Sequence, residues 1–203
     1  AHVPAEQPVH GDRFFHVIGN LSALPEDSKY LVVLYWQETT ALHTLEKRLD
    51  NERVFIGMVL LDNYDELMQN TKESTKPQLI AQIEKNVNDW VGQFGGLLYK
   101  CERDKYVVLF QYRQLEAILR NKFELLNKMR AIDLDNKIPV TVSIGLGVDG
   151  EDMVENNSYA QEAINMALGR GGDQAVVKDR QQFRFYGGGN KEYEKSTRVK
   201  ARV

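Results

Sequence analysis

Asp62, Asp65 and Glu66 follow directly on the apolar run VFIGMVLL, in the segment LLDNYDEL. Asp104 lies in YKCERDKYVVLF (99–110), preceded by Glu102 and Arg103 and followed by Lys105. Carboxylates just beyond the end of a buried strand stand where a mixed sheet often presents a ligand. Two of them can share a divalent cation that also bridges phosphate oxygens. Asp62 and Asp104 are the candidate pair if the hairpin formed by 97–110 lies beside the strand. Two unrelated solvated turns is the alternative.

Other chemistry-bearing signals are weaker. There is no GxxxxGK[ST], HExxH or GxSxG pattern. The cluster GRGGD (169–173) closes an expected helix, at the end where the dipole repels anions. GGGN (187–190) reads as a hinge before the tail. The histidines, His2, His10, His16 and His43, lack metal-ligand spacing. Cys101 is expected to be a small buried hydrophobe, and as the single cysteine it excludes an internal disulfide.

The elements that position these residues follow from pattern. The first ten residues read as polar and irregular, and RFFHVIG and KYLVVLYWQ as strands separated by a turn-rich stretch. In ETTALHTLEKRLDNER, Leu42, Leu45 and Leu49 mark one helical face, with Thr39 or Thr40 as N-cap. VFIGMVLL predicts a strand covered on both faces, and NYDELMQN a short helix. Apolar spacing from Pro77 to Phe94 predicts a helix with proline near its start, stopped by Gly95-Gly96. The hairpin comes next. Leu115, Ile118, Leu119, Phe123, Leu126 and Met129 predict one long helix. IPVTVSIGLGV alternates as a half-buried strand; a helix over 159–168 and the short strands QAVVK and FRFYG close the fold. The class is α+β: a mixed central sheet flanked by helices.

The chain has 203 residues, 42% hydrophobic and 27% charged, with a formal net charge of -3. That balance, with basic residues spread along the chain, argues against nucleic acid as the main partner. No apolar run approaches the ~18 residues that span a bilayer, so a soluble chain without membrane contact of its own is expected.

From residue 54 to about 186 the order of elements resembles the GGDEF fold of diguanylate cyclases. VFIGMVLLDNYDEL stands for the first strand and loop, ERDKY for the signature, VTVSIGLG for its later strand, and AQEAINMALGRGGDQAVV for the last helix and strand. The preceding strands resemble the C-terminal part of a PAS sensor domain. The combination resembles the GdpP/YybT family of membrane-anchored cyclic-di-AMP phosphodiesterases of Firmicutes. That resemblance implies a PAS portion at 1–38, a connector helix at 39–53, a degenerate GGDEF domain at 54–187 and a linker at 188–203 toward DHH/DHHA1 domains outside this chain.

By the resemblance, the two signature glycines of active cyclases fall on Glu102 and Arg103, whose side chains would obstruct a nucleotide's approach to the backbone. The signature's metal carboxylate falls on Asp104, its fourth position on Lys105 and its aromatic on Tyr106. The first metal aspartate falls on Leu60 and the second aspartate on Asp62. The base-reading residues fall on Met68 and Pro77, and the lysine of the last helix on Leu168. The product-inhibition motif, which would fall on Gln93 and Gly96, is absent. Phosphoryl transfer depends on cations and positioning, so cyclase activity is not expected. The expectation is a regulatory module that binds ATP with Mg²⁺ through Asp62, Asn63, Arg103, Asp104 and Lys105, with metal on Asp62 and Asp104. A weak Mg²⁺-dependent ATPase using Asp104 is the alternative. A homodimer through helix 39–53 is expected, with packing of that helix on its own PAS portion equally open. No residue is an evident haem ligand, so haem is not expected here. The localisation implied is the cytoplasmic portion of a membrane-anchored bacterial protein.

Overall fold

A computed structural model describes residues 7–10, 13–23, 30–134 and 138–187. The chain divides into two compact units, 1–52 and 53–203. The tail NKEYEKSTRVKARV (190–203) lies outside the described residues.

The first unit is an antiparallel meander of β1 (Gln7–His10), β2 (Arg13–Ala23) and β3 (Tyr30–Glu38), followed by α1 (Thr40–Glu52). β1 falls within the segment read as irregular; its pairing with β2 supplies order that composition does not signal. The Thr39 carbonyl accepts the first helical bond, from His43 N–H (3.0 Å). The Thr40 hydroxyl accepts from Phe14 N–H (3.0 Å), fixing the helix start on β2. No residue of β3 or α1 is buried, and Leu42, Leu45 and Leu49 are all exposed.

The second unit contains β4 (Val54–Leu61), α2 (Tyr64–Asn70), α3 (Lys76–Gln93), β5 (Leu97–Lys100), β6 (Lys105–Gln111), α4 (Leu115–Arg120), α5 (Leu125–Arg130), β7 (Val142–Gly147), α6 (Met153–Gly169), β8 (Gln174–Lys178) and β9 (Phe183–Gly187). Its six-stranded sheet has the order β5-β6-β4-β7-β8-β9, with β7–β8 parallel and the other pairs antiparallel. The sheet is mixed and helix-flanked, as expected. β4 is buried along most of its length, between β6 and β7. Phe55, Val59 and Leu61 join the core formed by Trp90 of α3, Phe123 and Leu126. Ile56 and Met58 pack against Ala160 and Ile164 of α6.

Two expectations are corrected. The long helix from 115 to 129 is two short helices, broken where Lys122 and Phe123 adopt φ of 50° and 57°. Asn121 holds the break, its Oδ1 accepting from Glu124 N–H (3.0 Å) and from Trp90 Nε1–H (3.3 Å). The left-handed turn places Phe123 in the core beside Trp90 and Tyr186. β7 is buried on both faces, where alternation suggested one. Its small residues mark contact with a helix instead of solvent: a Cβ at Gly147 would lie 1.9 Å from the Asn156 carbonyl oxygen, and one at Gly145 would lie 2.6 Å from that of Ala160.

Candidate functional site

β4 ends where the candidate residues gather. Register pairs Leu60 with Lys105 on β6 and with Ser143 on β7. The hairpin therefore does lie beside the strand, and Leu61 N–H donates to the Asp104 carbonyl (2.9 Å). Leu60 packs on the apolar group of Ile56, Met58, Ala160 and Ile164, offering no ligand atom.

Asp62 is engaged inside the fold. Its N–H donates to the Thr141 carbonyl (3.0 Å), and its Oδ2 accepts from Asp173 N–H (2.8 Å). A Cβ at Gly172 would fall 2.8 Å from that same oxygen, so the glycine is what admits the carboxylate to the loop. Oδ1 is buried without a hydrogen-bond partner, as is the neighbouring Ser143 Oγ. Burial raises the Asp62 pKa above the usual carboxylate range, opposed by the nearby Ser143 hydroxyl and the Asp173 amide. Asn63 closes the same corner, its Nδ2 donating to the Pro139 carbonyl (2.9 Å) and its Oδ1 accepting from Thr141 N–H (3.3 Å).

On the hairpin, Arg103 reaches Asp65, with Nη2 3.1 Å from Oδ1 and 3.2 Å from Oδ2, and lies over the Tyr64 ring at 5.5 Å. The Asp104 carboxylate and the Lys105 ammonium, both half-buried, have no polar side-chain partner among the described residues. Among the described residues, no hydrogen bond joins the Asp62 and Asp104 side chains. Tyr106 is buried, with burial raising its hydroxyl pKa. Cys101 is exposed in the turn, a correction to its expected burial: β5 ends at Lys100, and the cysteine falls beyond the strand.

Sequence reasoning took GRGGD only as a helix stop. It is one, with Gly172 N–H donating to the Ala167 carbonyl (3.0 Å). It is also the partner of Asp62, and Arg130 Nε grips both Asp173 carboxylate oxygens at 2.9 and 2.7 Å. An acid following two glycines and preceding a strand was the available signal.

Among the described residues, no group of three or more His, Cys, Asp or Glu is placed to hold a metal. A cage of protein ligands alone does not fit this corner. Asp104 is a carboxylate of this corner that no described side chain engages.

The sheet order and the hairpin beside β4 define a nucleotidyl-cyclase-type domain of the GGDEF class. The active GGEEF domain of a diguanylate cyclase from Vibrio cholerae shares this fold, with a TM-score of 0.54 at 11% identity, over 68% of this chain and 89% of that one. Residues 59–185 match the family described as cyclic-di-AMP phosphodiesterase GdpP-like, GGDEF domain, and the chain belongs to that family. It is 32% identical over 172 residues to the cyclic-di-AMP phosphodiesterase GdpP of Geobacillus thermodenitrificans, covering 84% of this chain and 26% of that protein. It is 30% identical over 202 residues to GdpP of Bacillus subtilis, covering 99% of this chain and 29% of that protein. The chain thus spans between a quarter and a third of the length of these relatives. No helix among the described residues is long and apolar enough to cross a membrane.

Proposed function

We propose that this chain is a regulatory segment of a cyclic-di-AMP phosphodiesterase, and that its GGDEF-type domain makes no cyclic dinucleotide. The observation that carries this reading is the hairpin turn. Glu102 and Arg103 occupy the positions where an active cyclase brings bare backbone to its nucleotide, and Arg103 is tied down onto Asp65 and Tyr64. Leu60 at the first metal position and Leu168 at the lysine position support it. Phosphoryl transfer without side chains that bind the cation loses several kcal/mol of transition-state stabilisation, on the order of a 10²-fold or larger rate loss per group.

In this reading residues 1–38 complete a PAS sensor, 39–53 couple it to the domain at 54–187, and 188–203 lead to DHH/DHHA1 phosphodiesterase domains. The whole protein is membrane-anchored, of a Firmicutes type, and dimeric through the exposed Leu42, Leu45 and Leu49 stripe of α1. ATP with Mg²⁺ is the ligand, its phosphates meeting Lys105 and, by exchange of the exposed Asp65 ion pair for a phosphate, Arg103, and its metal meeting Asp104; Asp62 and Asn63 shape the floor of the corner. The test is calorimetric titration of the chain with ATP and GTP, with and without Mg²⁺, alongside a search for cyclic-di-GMP made from GTP. Metal-dependent binding with little base preference and no product supports the reading. Cyclic-di-GMP formation overturns it.

A second reading, a slow Mg²⁺-dependent ATPase, is favoured by one observation, the unpartnered Asp104 carboxylate beside Lys105. Hydrolysis lost in a folded Asp104→Ala chain supports it; hydrolysis unchanged by that substitution rules it out.

A further inference from the structure

Leu61 and Asp62, consecutive at the end of β4, hold three neighbours: the Asp104 carbonyl on the hairpin, the Thr141 carbonyl, and Asp173 N–H. Asp173 is gripped in turn by Arg130 of α5, through both carboxylate oxygens and through its carbonyl, which accepts from Nη2 at 3.0 Å. The next residue, Gln174, opens β8 and lies opposite Gly187, the last residue of β9, after which 188–203 continue. The Gln174 side chain is buried and donates back to the Ala167 and Gly172 carbonyls (3.1 and 3.3 Å). Leu126 of α5 fills the space over Gly187, where an added Cβ would meet its Cδ1 at 2.6 Å.

Gly171, Gly172 and Asp173 adopt φ of 100°, 74° and 55° in succession. The two glycines adopt this region freely, whereas Asp173 carries a side chain there, a modest cost that its surroundings offset. Here the surroundings are Asp62 on one side and Arg130 on the other. Releasing either lets the loop relax, and the Gln174–Gly187 pairing loses its anchor.

We infer that Asp62, Asp173 and Arg130 form a conformational relay that couples the hairpin corner at the end of β4 to the β8–β9 pair at the far edge of the sheet. Its use in signalling rests on the regulatory reading above; the coupling itself does not. Reciprocity follows, because a coupling free energy acts equally in both directions.

Amide hydrogen exchange on the full chain tests the relay. Asp62→Ala is expected to speed exchange in Gln174–Lys178 and Phe183–Gly187 by about tenfold or more, as in a local opening, while Phe55–Met58 and Val107–Phe110 keep their rates. Asp62→Asn, whose amide oxygen accepts the same bond, restores protection. Arg130→Gln is expected to speed the same strands and, from the far side, the Leu61 amide. Unchanged exchange in β8–β9, a uniform rise across β4, β6 and β7, or an unmoved Leu61 amide in Arg130→Gln overturns the relay. If Asp62→Ala does not fold, the Leu61 amide in Arg130→Gln decides alone. Nucleotide binding enters none of these outcomes, so a failed titration with ATP and a failed relay are separate results.

Discussion

β3 and β4 are both nearly continuous apolar runs, YLVVLYW and VFIGMVLL, and both read as strands, VFIGMVLL as one shielded on two faces. β4 fulfils that pattern, flanked by β6 and β7 and covered by aromatic core on one face and α6 on the other. Among the described residues β3 pairs with β2 alone, and each of its residues is exposed, Trp36 at 53% and Leu34 at 52%. Apolar sequence thus states a need for burial, and only the neighbouring elements decide whether it is met. Exposed runs of this size mark contact surfaces in native proteins.

Paired substitutions can break the contrast. Phe55→Ala in β4 should destabilise the second unit by about 3–5 kcal/mol in chemical denaturation, the usual cost of emptying a buried aromatic site. Leu34→Ala in β3 should stay within roughly 0.5 kcal/mol, as for other surface changes. A loss at Leu34 as large as that at Phe55 would mean β3 is covered in solution. Gly147→Ala comes next, at about 1–3 kcal/mol, because the new methyl group meets α6 backbone rather than a flexible side chain.

Smaller effects sharpen the difference between the two corners of β4's end. Arg103→Ala removes an exposed ion pair with Asp65 and should cost under ~1 kcal/mol, fading further at high salt. Asp62 behaves oppositely, since burial raises its pKa in the folded chain. The folded state then holds a proton more tightly than the unfolded state. Stability from this site is full below the unfolded-state pKa and declines as pH rises through the folded-state value. Asp62→Asn should remove that decline, leaving denaturation midpoints flatter across the acidic range than in the parent chain.

Much of the fold was legible because it is local. The 3.6-residue spacing of Leu79, Ile83, Val87, Trp90 and Val91 gave α3, and the charged step at 102–105 gave the hairpin. Where a single residue overrode the pattern, periodicity misled. The apolar marks from Leu115 to Met129 fit one helix, yet Asn121 and the left-handed turn at Phe123 make two. Ser143, Gly145 and Gly147 looked like a solvent face, yet all three are buried, and the two glycines are the seat of α6. At the site, Asp62 and Asp104 were found as carboxylates near the end of β4, but the partner of Asp62 was not. Asp173 lies 111 residues further on, and no local pattern links the two.

By itself, the sequence determined most of the strands and helices of the second unit and the charged hairpin turn at 102–105. These follow from short-range spacing and residue type. The tertiary structure decided which apolar run is buried and which acid is consumed within the fold. Both depend on atoms far apart in the chain meeting within a few ångströms, which only the packed sheet and its helices bring about.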